Sequence, residues 1–203
     1  MTADTLASRL WIVAFACAFA SVALGLLVAH RPPGAIDLAG QHLRGYAVPV
    51  ALAFTRLGRG PGVAAVAVAA LGIAFWLRAG RWAVAAIVLA QILSQTANML
   101  EKLAFRRLRP DWVLGPRDAD LSFPSGHSAT AIVLFFGLAV LVTRAPLPRS
   151  ATIPVAVILG VCAVAIPWSR LALGAHYVTD VAGGLLVGTA WLCATMAVLV
   201  RAA

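Results

Sequence analysis

The sequence predicts an all-α bundle of six transmembrane helices, with a short interfacial helix between the first two. Three observations lead there. Of 203 residues, 62% are hydrophobic and only 11% charged, and the mean hydropathy is +0.94, whereas a soluble domain carries about 25% charged residues. Six stretches free of charge, each about 17–23 residues long, divide the chain; roughly 20 residues at 1.5 Å rise cross a hydrocarbon core of about 30 Å. The breaks between them hold proline, glycine or arginine. With no internal repeat and no low-complexity tail, residues 1–203 read as one membrane domain.

The spans are expected at Trp11 to Ala29, Pro61 to Leu77, Trp82 to Leu100, Leu121 to Thr143, Ala151 to Ser169 and Val181 to Val200, the last starting near Tyr177. Arg9 and the small residues after it resemble a cleaved signal segment. The apolar run Leu10 to Leu27 exceeds a signal core, however, and further spans follow, so it is read as helix one. His30-Arg31-Pro32-Pro33-Gly34 stops that helix, because proline cannot continue the hydrogen-bond ladder. Within residues 35–60, Tyr46 to Phe54 is apolar but too short to span, which predicts an interfacial or re-entrant helix. Gly58, Gly60, Pro61 and Gly62 separate it from helix two, and Arg78-Ala79-Gly80-Arg81 turns tightly into helix three. Helix three carries Gln91, Gln95, Asn98 and Lys102 at spacings of three and four, a polar stripe on one face. Residues 105–124 form a polar loop, and two prolines between Arg144 and Arg149 close helices four and five.

The formal charge of +9 does not indicate nucleic acid, since the arginines fall at span ends and in loops, with no basic tail or recognisable nucleic-acid module. An anionic headgroup or phosphorylated substrate accounts for the excess. Cys17, Cys162 and Cys193 lie within apolar runs and read as buried hydrophobes, neither a disulfide framework nor a metal cluster. Trp11, Trp76, Trp82, Trp112 and Trp168 stand at span ends as interface anchors. Helix alternation puts most of the basic residues on the side away from both termini, so the positive-inside rule gives no firm orientation.

Ionisable groups beside a membrane span are costly and therefore functional suspects. Alternation brings Lys102, Arg109, Ser125, His127, Arg170, His176 and Asp180 to one membrane face. Pro124-Ser125-Gly126-His127 precedes an apolar helix. Proline can start that helix, serine can cap it, and Gly126 lets an anion approach the free N–H groups. His176 and Asp180 are four apart, so the carboxylate can hold one ring nitrogen while the other attacks phosphorus. His127 could protonate the departing oxygen. Lys102, Arg109 and Arg170 could neutralise phosphoryl oxygens. Arg106, Arg107 and Arg117 are assigned to lipid or loop contacts. Gln95 and Asn98 are assigned to neighbouring helices, and Glu101, beside Lys102, to a structural role without a part in catalysis.

Three motifs then stand in order: Lys102, six residues, Arg109-Pro110; Pro124-Ser125-Gly126-His127; and Ser169-Arg170, five residues, His176, three residues, Asp180. Together they resemble the type 2 phosphatidic acid phosphatase (PAP2) family. The resemblance implies a six-helix bundle and metal-independent hydrolysis of a lipid phosphate or pyrophosphate, without a cofactor. By it, His176 is the nucleophile that becomes phosphohistidine, His127 the general acid and Asp180 the partner of His176. Lys102, Arg109, Ser125, Gly126 and Arg170 cradle the phosphate. It also implies a bacterial cytoplasmic membrane with the site facing outward, membrane lipids as surroundings and no required protein partner. Undecaprenyl pyrophosphate, phosphatidylglycerol phosphate and phosphatidic acid are the candidate substrates. The alternatives are a lipid phosphotransferase or a lipid-phosphate transporter using the same cluster.

Overall fold

The computed structural model describes residues 2–78, 80–115 and 121–202. Helix α1 (Ala3–Val28) starts well before the expected span because Thr2 caps it, its hydroxyl accepting from the Thr5 N–H at 3.3 Å. After the proline stop come a one-turn helix, α2 (Ala35–Ala39), and a 3₁₀ turn at Gly40–Leu43. The short apolar stretch forms α3 (Val48–Leu57), which meets α4 (Gly60–Trp76) at a 56° bend. Pro49 and Pro61 lie in the first turns of these two helices, where a missing N–H costs nothing. Helix α5 (Arg81–Phe105) follows, then α6 (Gly126–Thr130), a π-helical stretch at Ala131–Phe136, α7 (Gly137–Thr143), α8 (Arg149–Ala172) and α9 (Val178–Ala202).

Among the described residues, five helical segments are long and apolar enough to cross a membrane, or six if the bent pair α3–α4 counts as one. This is the all-helical multi-pass architecture expected. The fourth span begins at Gly126 rather than Leu121, because the preceding residues are tied into loop pairing. The Ser122 N–H donates to the Arg107 carbonyl at 2.7 Å, and Leu108 bridges Leu121.

The main core gathers Ile87, Leu134, Phe135, Ile166 and Met196 between α5, the π-helical stretch, α8 and α9. A smaller cluster under α3 joins Ala51 to Leu173 and Ala175, with Trp168 and Val113 against it. Trp168 is partly buried against this cluster, while Trp76 and Trp82 are exposed. Helix α1 lies along α9 on the other flank. Helix α9 passes close against the start of α6, where a Cβ on Gly184 would sit 2.1 Å from the Ser125 carbonyl oxygen. Gly184 is thus used within the bundle, and it fixes the distance between the two segments that carry the site.

Candidate active site

Four segment ends converge at the end of the helix bundle away from the termini: the end of α5, the start of α6, the end of α8 and the start of α9. Gly174, at φ +63°, turns the chain out of α8, and the Ala175 N–H returns to the Arg170 carbonyl at 2.9 Å. The loop thereby delivers His176, 4% exposed, just ahead of α9 rather than on it. Asp180 sits fully buried in the first turn.

Arg109 Nη1 lies 3.0 Å from His176 Nε2 and donates to the Ala175 carbonyl at 2.8 Å. A guanidinium can only donate, so Nε2 is the acceptor and the ring proton belongs on Nδ1. Nδ1 faces Ser122 Oγ at 3.4 Å and Asp180 Oδ2 at 3.6 Å. The direct His176–Asp180 bond anticipated from their spacing is therefore too long. Ser122 stands with them instead, its hydroxyl donating to Asp180 Oδ2. The Tyr177 N–H also donates to Oδ2, at 2.8 Å. Burial first, then the positive charges of Arg109, Arg170, Lys102 and His127, hold His176 well below the usual histidine value of 6.5. The ring is neutral at pH 7, with its reactive lone pair turned toward the cations.

On the other side, Lys102 Nζ donates to the Leu121 and Ser122 carbonyls at 3.0 and 3.1 Å, so α5 holds the loop before α6. Arg170 is 3% exposed and donates to Thr55 Oγ1 on α3, which gives the short helix a purpose that its sequence did not disclose. The bend after α3 also puts Gly58 against His127, whose Cδ2 would be 2.7 Å from an added Cβ.

Ser125 does not cap its helix. Its hydroxyl is buried and finds no partner, while its N–H donates to the Asp180 carbonyl at 2.9 Å. Gln95 Nε2 reaches the Gly126 carbonyl at 3.2 Å and Thr130 at 3.1 Å, as helix–helix contacts should. Asn98 behaves differently: it is 2% exposed, lies beside Gly126, and its Nδ2 has no partner. Buried polar atoms are normally satisfied, so orphans at one spot mark a place for a polar ligand. Beside His176, a cleft lined by Gln41, Arg44, Trp112 and Tyr177 holds about 10 Å³, the room of one water.

One assignment needs correction. Arg107 is not a lipid or loop contact. It is 4% exposed and bridges Asp180 and Asp37, each at 2.6 Å. Glu101 ties α5 to α1, accepting from the Ser21 hydroxyl at 2.8 Å. Arg106 is exposed at the end of α5, its Nε donating to the Leu103 carbonyl at 3.2 Å, while Arg117 lies outside the described residues. The reading of the sequence missed Ser122, Thr55 and Asp37. Asp37 had a usable signal, as the one acidic residue between Asp4 and Glu101.

The sequence model of the PAP2 superfamily matches residues 79–202, which include all three motifs. The chain belongs to the PAP2 superfamily. Among similar proteins, phosphatidylglycerophosphatase B of Bacillus subtilis is 39% identical over 92 residues, 45% of each chain. An undecaprenyl-diphosphatase of Sulfolobus acidocaldarius is 32% identical over 110 residues, 54% of this chain and 47% of that protein. This PAP2 chain thus spans about half the length of each of these relatives. The crystal structure of a transmembrane PAP2-type phosphatidylglycerolphosphate phosphatase from Bacillus subtilis superposes with a TM-score of 0.73 at 26% identity, over 93% of this chain and 94% of that one.

Proposed function

We propose that this PAP2 protein hydrolyses a membrane lipid phosphate or pyrophosphate through a phosphohistidine at His176. The observation that carries the reading is the arginine on the neutral imidazole. His176 Nε2 is oriented by Ser122 and Asp180 behind it and met by Arg109 in front. When a phosphate enters, its oxygens take the place of Nε2 as acceptor for Arg109, and the lone pair is released toward phosphorus.

Nε2 then forms a bond to phosphorus as the bond from phosphorus to the lipid oxygen breaks, and His127 gives that oxygen its proton. The ring now carries phosphorus on Nε2 and hydrogen on Nδ1, and its positive charge is met by Asp180. Water attacks next. His127, now basic, takes a proton from it, the nitrogen–phosphorus bond breaks, and inorganic phosphate leaves. Lys102, Arg109 and Arg170 neutralise charge on the equatorial oxygens, and the Ser125 hydroxyl, the Gly126 N–H and Asn98 Nδ2 supply neutral donors.

The names of the similar proteins favour phosphatidylglycerol phosphate and undecaprenyl pyrophosphate as substrates. We place the site on the outer side of a bacterial cytoplasmic membrane. The test is phosphate release by detergent-purified protein in EDTA, offered these two lipids and phosphatidic acid in parallel, with His176→Ala as control. EDTA-resistant release lost in the variant supports the reading. Release that survives in His176→Ala refutes it, and phosphate passing to an added alcohol instead of water would identify a transferase.

A further inference from the structure

We infer that Arg107 and Asp37 form a charge clamp that positions Asp180 and sets the net charge facing the inner nitrogen of His176. The inference rests on the proposed role of His176. Arg107 Nη1 donates to Asp180 Oδ1 at 2.6 Å and Nη2 to Asp37 Oδ2 at 2.6 Å, with the three side chains 5%, 0% and 2% exposed. Thr179 completes the unit: its hydroxyl accepts from Arg107 Nη1 at 2.6 Å and donates to Asp37 Oδ1 at 2.8 Å. The Thr179 N–H adds a further bond to Oδ1 at 3.0 Å, so a residue before α3 caps the first turn of α9. The guanidinium lies over the Tyr177 ring, 4.5 Å from its centroid.

A structural staple alone would call for one carboxylate and one guanidinium. Here two carboxylates share one cation, leaving the buried group at a net charge of −1. Burying charge costs free energy that a staple does not recover. The surplus has a use next to His176, whose Nδ1 is 3.6 Å from Asp180. In the proposed cycle the imidazole becomes cationic as it takes the phosphoryl group, and the clamp supplies the matching anion. Arg107 also occupies Asp180 Oδ1, which leaves Oδ2 to Ser122 and the Tyr177 N–H, on the side that faces the histidine. Arg107 and Asp37 are positioning residues and need not touch substrate.

The charged and titratable groups facing His176 besides the clamp include Lys102 on α5, Arg109 on the loop after it, His127 on α6 and Arg170 on α8, with Arg44 and Tyr177 across the adjoining cleft. All of these stay constant in a test that changes the clamp alone. Asp37→Asn makes the clamp neutral, Arg107→Gln makes it −2, and the double variant restores −1. Less negative charge makes the imidazole harder to protonate, so Asp37→Asn moves the acid limb of kcat/KM to lower pH. Arg107→Gln moves it to higher pH. A buried unit charge in this position shifts the midpoint by about one pH unit, and the double variant returns to the wild-type midpoint.

The experiment is the pH profile of kcat/KM for these three variants and the wild type on one lipid substrate, so that substrate ionisation is common to all. Opposite shifts that cancel in the double variant support the clamp. A common midpoint, or shifts in the same direction, overturns it. Should Arg107→Gln fail to purify as a folded monodisperse protein, Asp37→Asn decides alone: a lower midpoint supports the inference and an unchanged one overturns it. Activity persisting in His176→Ala would instead refute the role of His176.

Discussion

Replacing Gly184 by alanine drives a methyl group into the backbone of the phosphate-binding segment. The added Cβ would lie 2.1 Å from the Ser125 carbonyl oxygen, 3.0 Å from the Ser125 carbonyl carbon and 2.8 Å from Ser128 Cβ. Non-bonded heavy atoms rest at about 3.5 Å, so α9 and the start of α6 must separate by roughly 1 Å. No flexible side chain can absorb the shift. The Ser125 N–H is also bonded to the Asp180 carbonyl, one turn earlier on α9, so the strain falls on both halves of the site. Overpacking costs about 1–3 kcal/mol, and a misplacement of about 1 Å costs about 100-fold in rate. Gly188→Ala, with its Cβ 2.8 Å from the Ala129 carbonyl oxygen and one turn further from the site, should lose less activity. Gly160→Ala meets nothing within 4 Å and should keep full activity with up to about 1 kcal/mol of added helix stability. Initial rates of phosphate release, with thermal unfolding of each variant in detergent, give the comparison. Wild-type rate and stability in Gly184→Ala would refute the packing argument.

Other perturbations separate the remaining contacts. Ser122→Ala removes a charge-assisted bond to Asp180 worth about 1.5–3 kcal/mol, so kcat should fall roughly 10- to 100-fold with little change in KM, read from steady-state kinetics. Thr55→Val keeps the shape of α3 but releases Arg170; kcat/KM should fall about tenfold, mainly through KM. His176 is held neutral when folded, so below pH 6.5 the unfolded chain takes up a proton that the folded protein refuses. Stability should therefore drop as pH falls from 6.5 toward the depressed folded value, and His176→Gln should remove that part of the decline in unfolding scans.

The spans and the three motifs were legible because bilayer thickness fixes helix length and because polar residues beside apolar runs stand out. The contacts that arm the site were not. Arg107 beside Arg106 has the form of a snorkelling residue, and only a partner 70 positions away distinguishes it. Ser122 looks like an ordinary loop serine until the turn after α8 brings His176 to it. The stretch at Val48–Leu57 is too short to span alone, and its role follows from the bend that lets Thr55 reach Arg170. The polar stripe of α5 was visible, yet periodicity cannot separate Gln95, which is satisfied, from Asn98, whose Nδ2 is not. Spacing defines a helix face, while hydrogen-bond accounting requires coordinates.

The most direct test of the account is a search for the covalent intermediate. Protein mixed with lipid carrying ³²P in its terminal phosphate would be quenched within one turnover, digested and sequenced by mass spectrometry. The account predicts acid-labile, alkali-stable label on the peptide containing His176, absent in His176→Ala. Label on another residue, or unlabelled protein that still releases phosphate at the wild-type rate in His176→Ala, would contradict it.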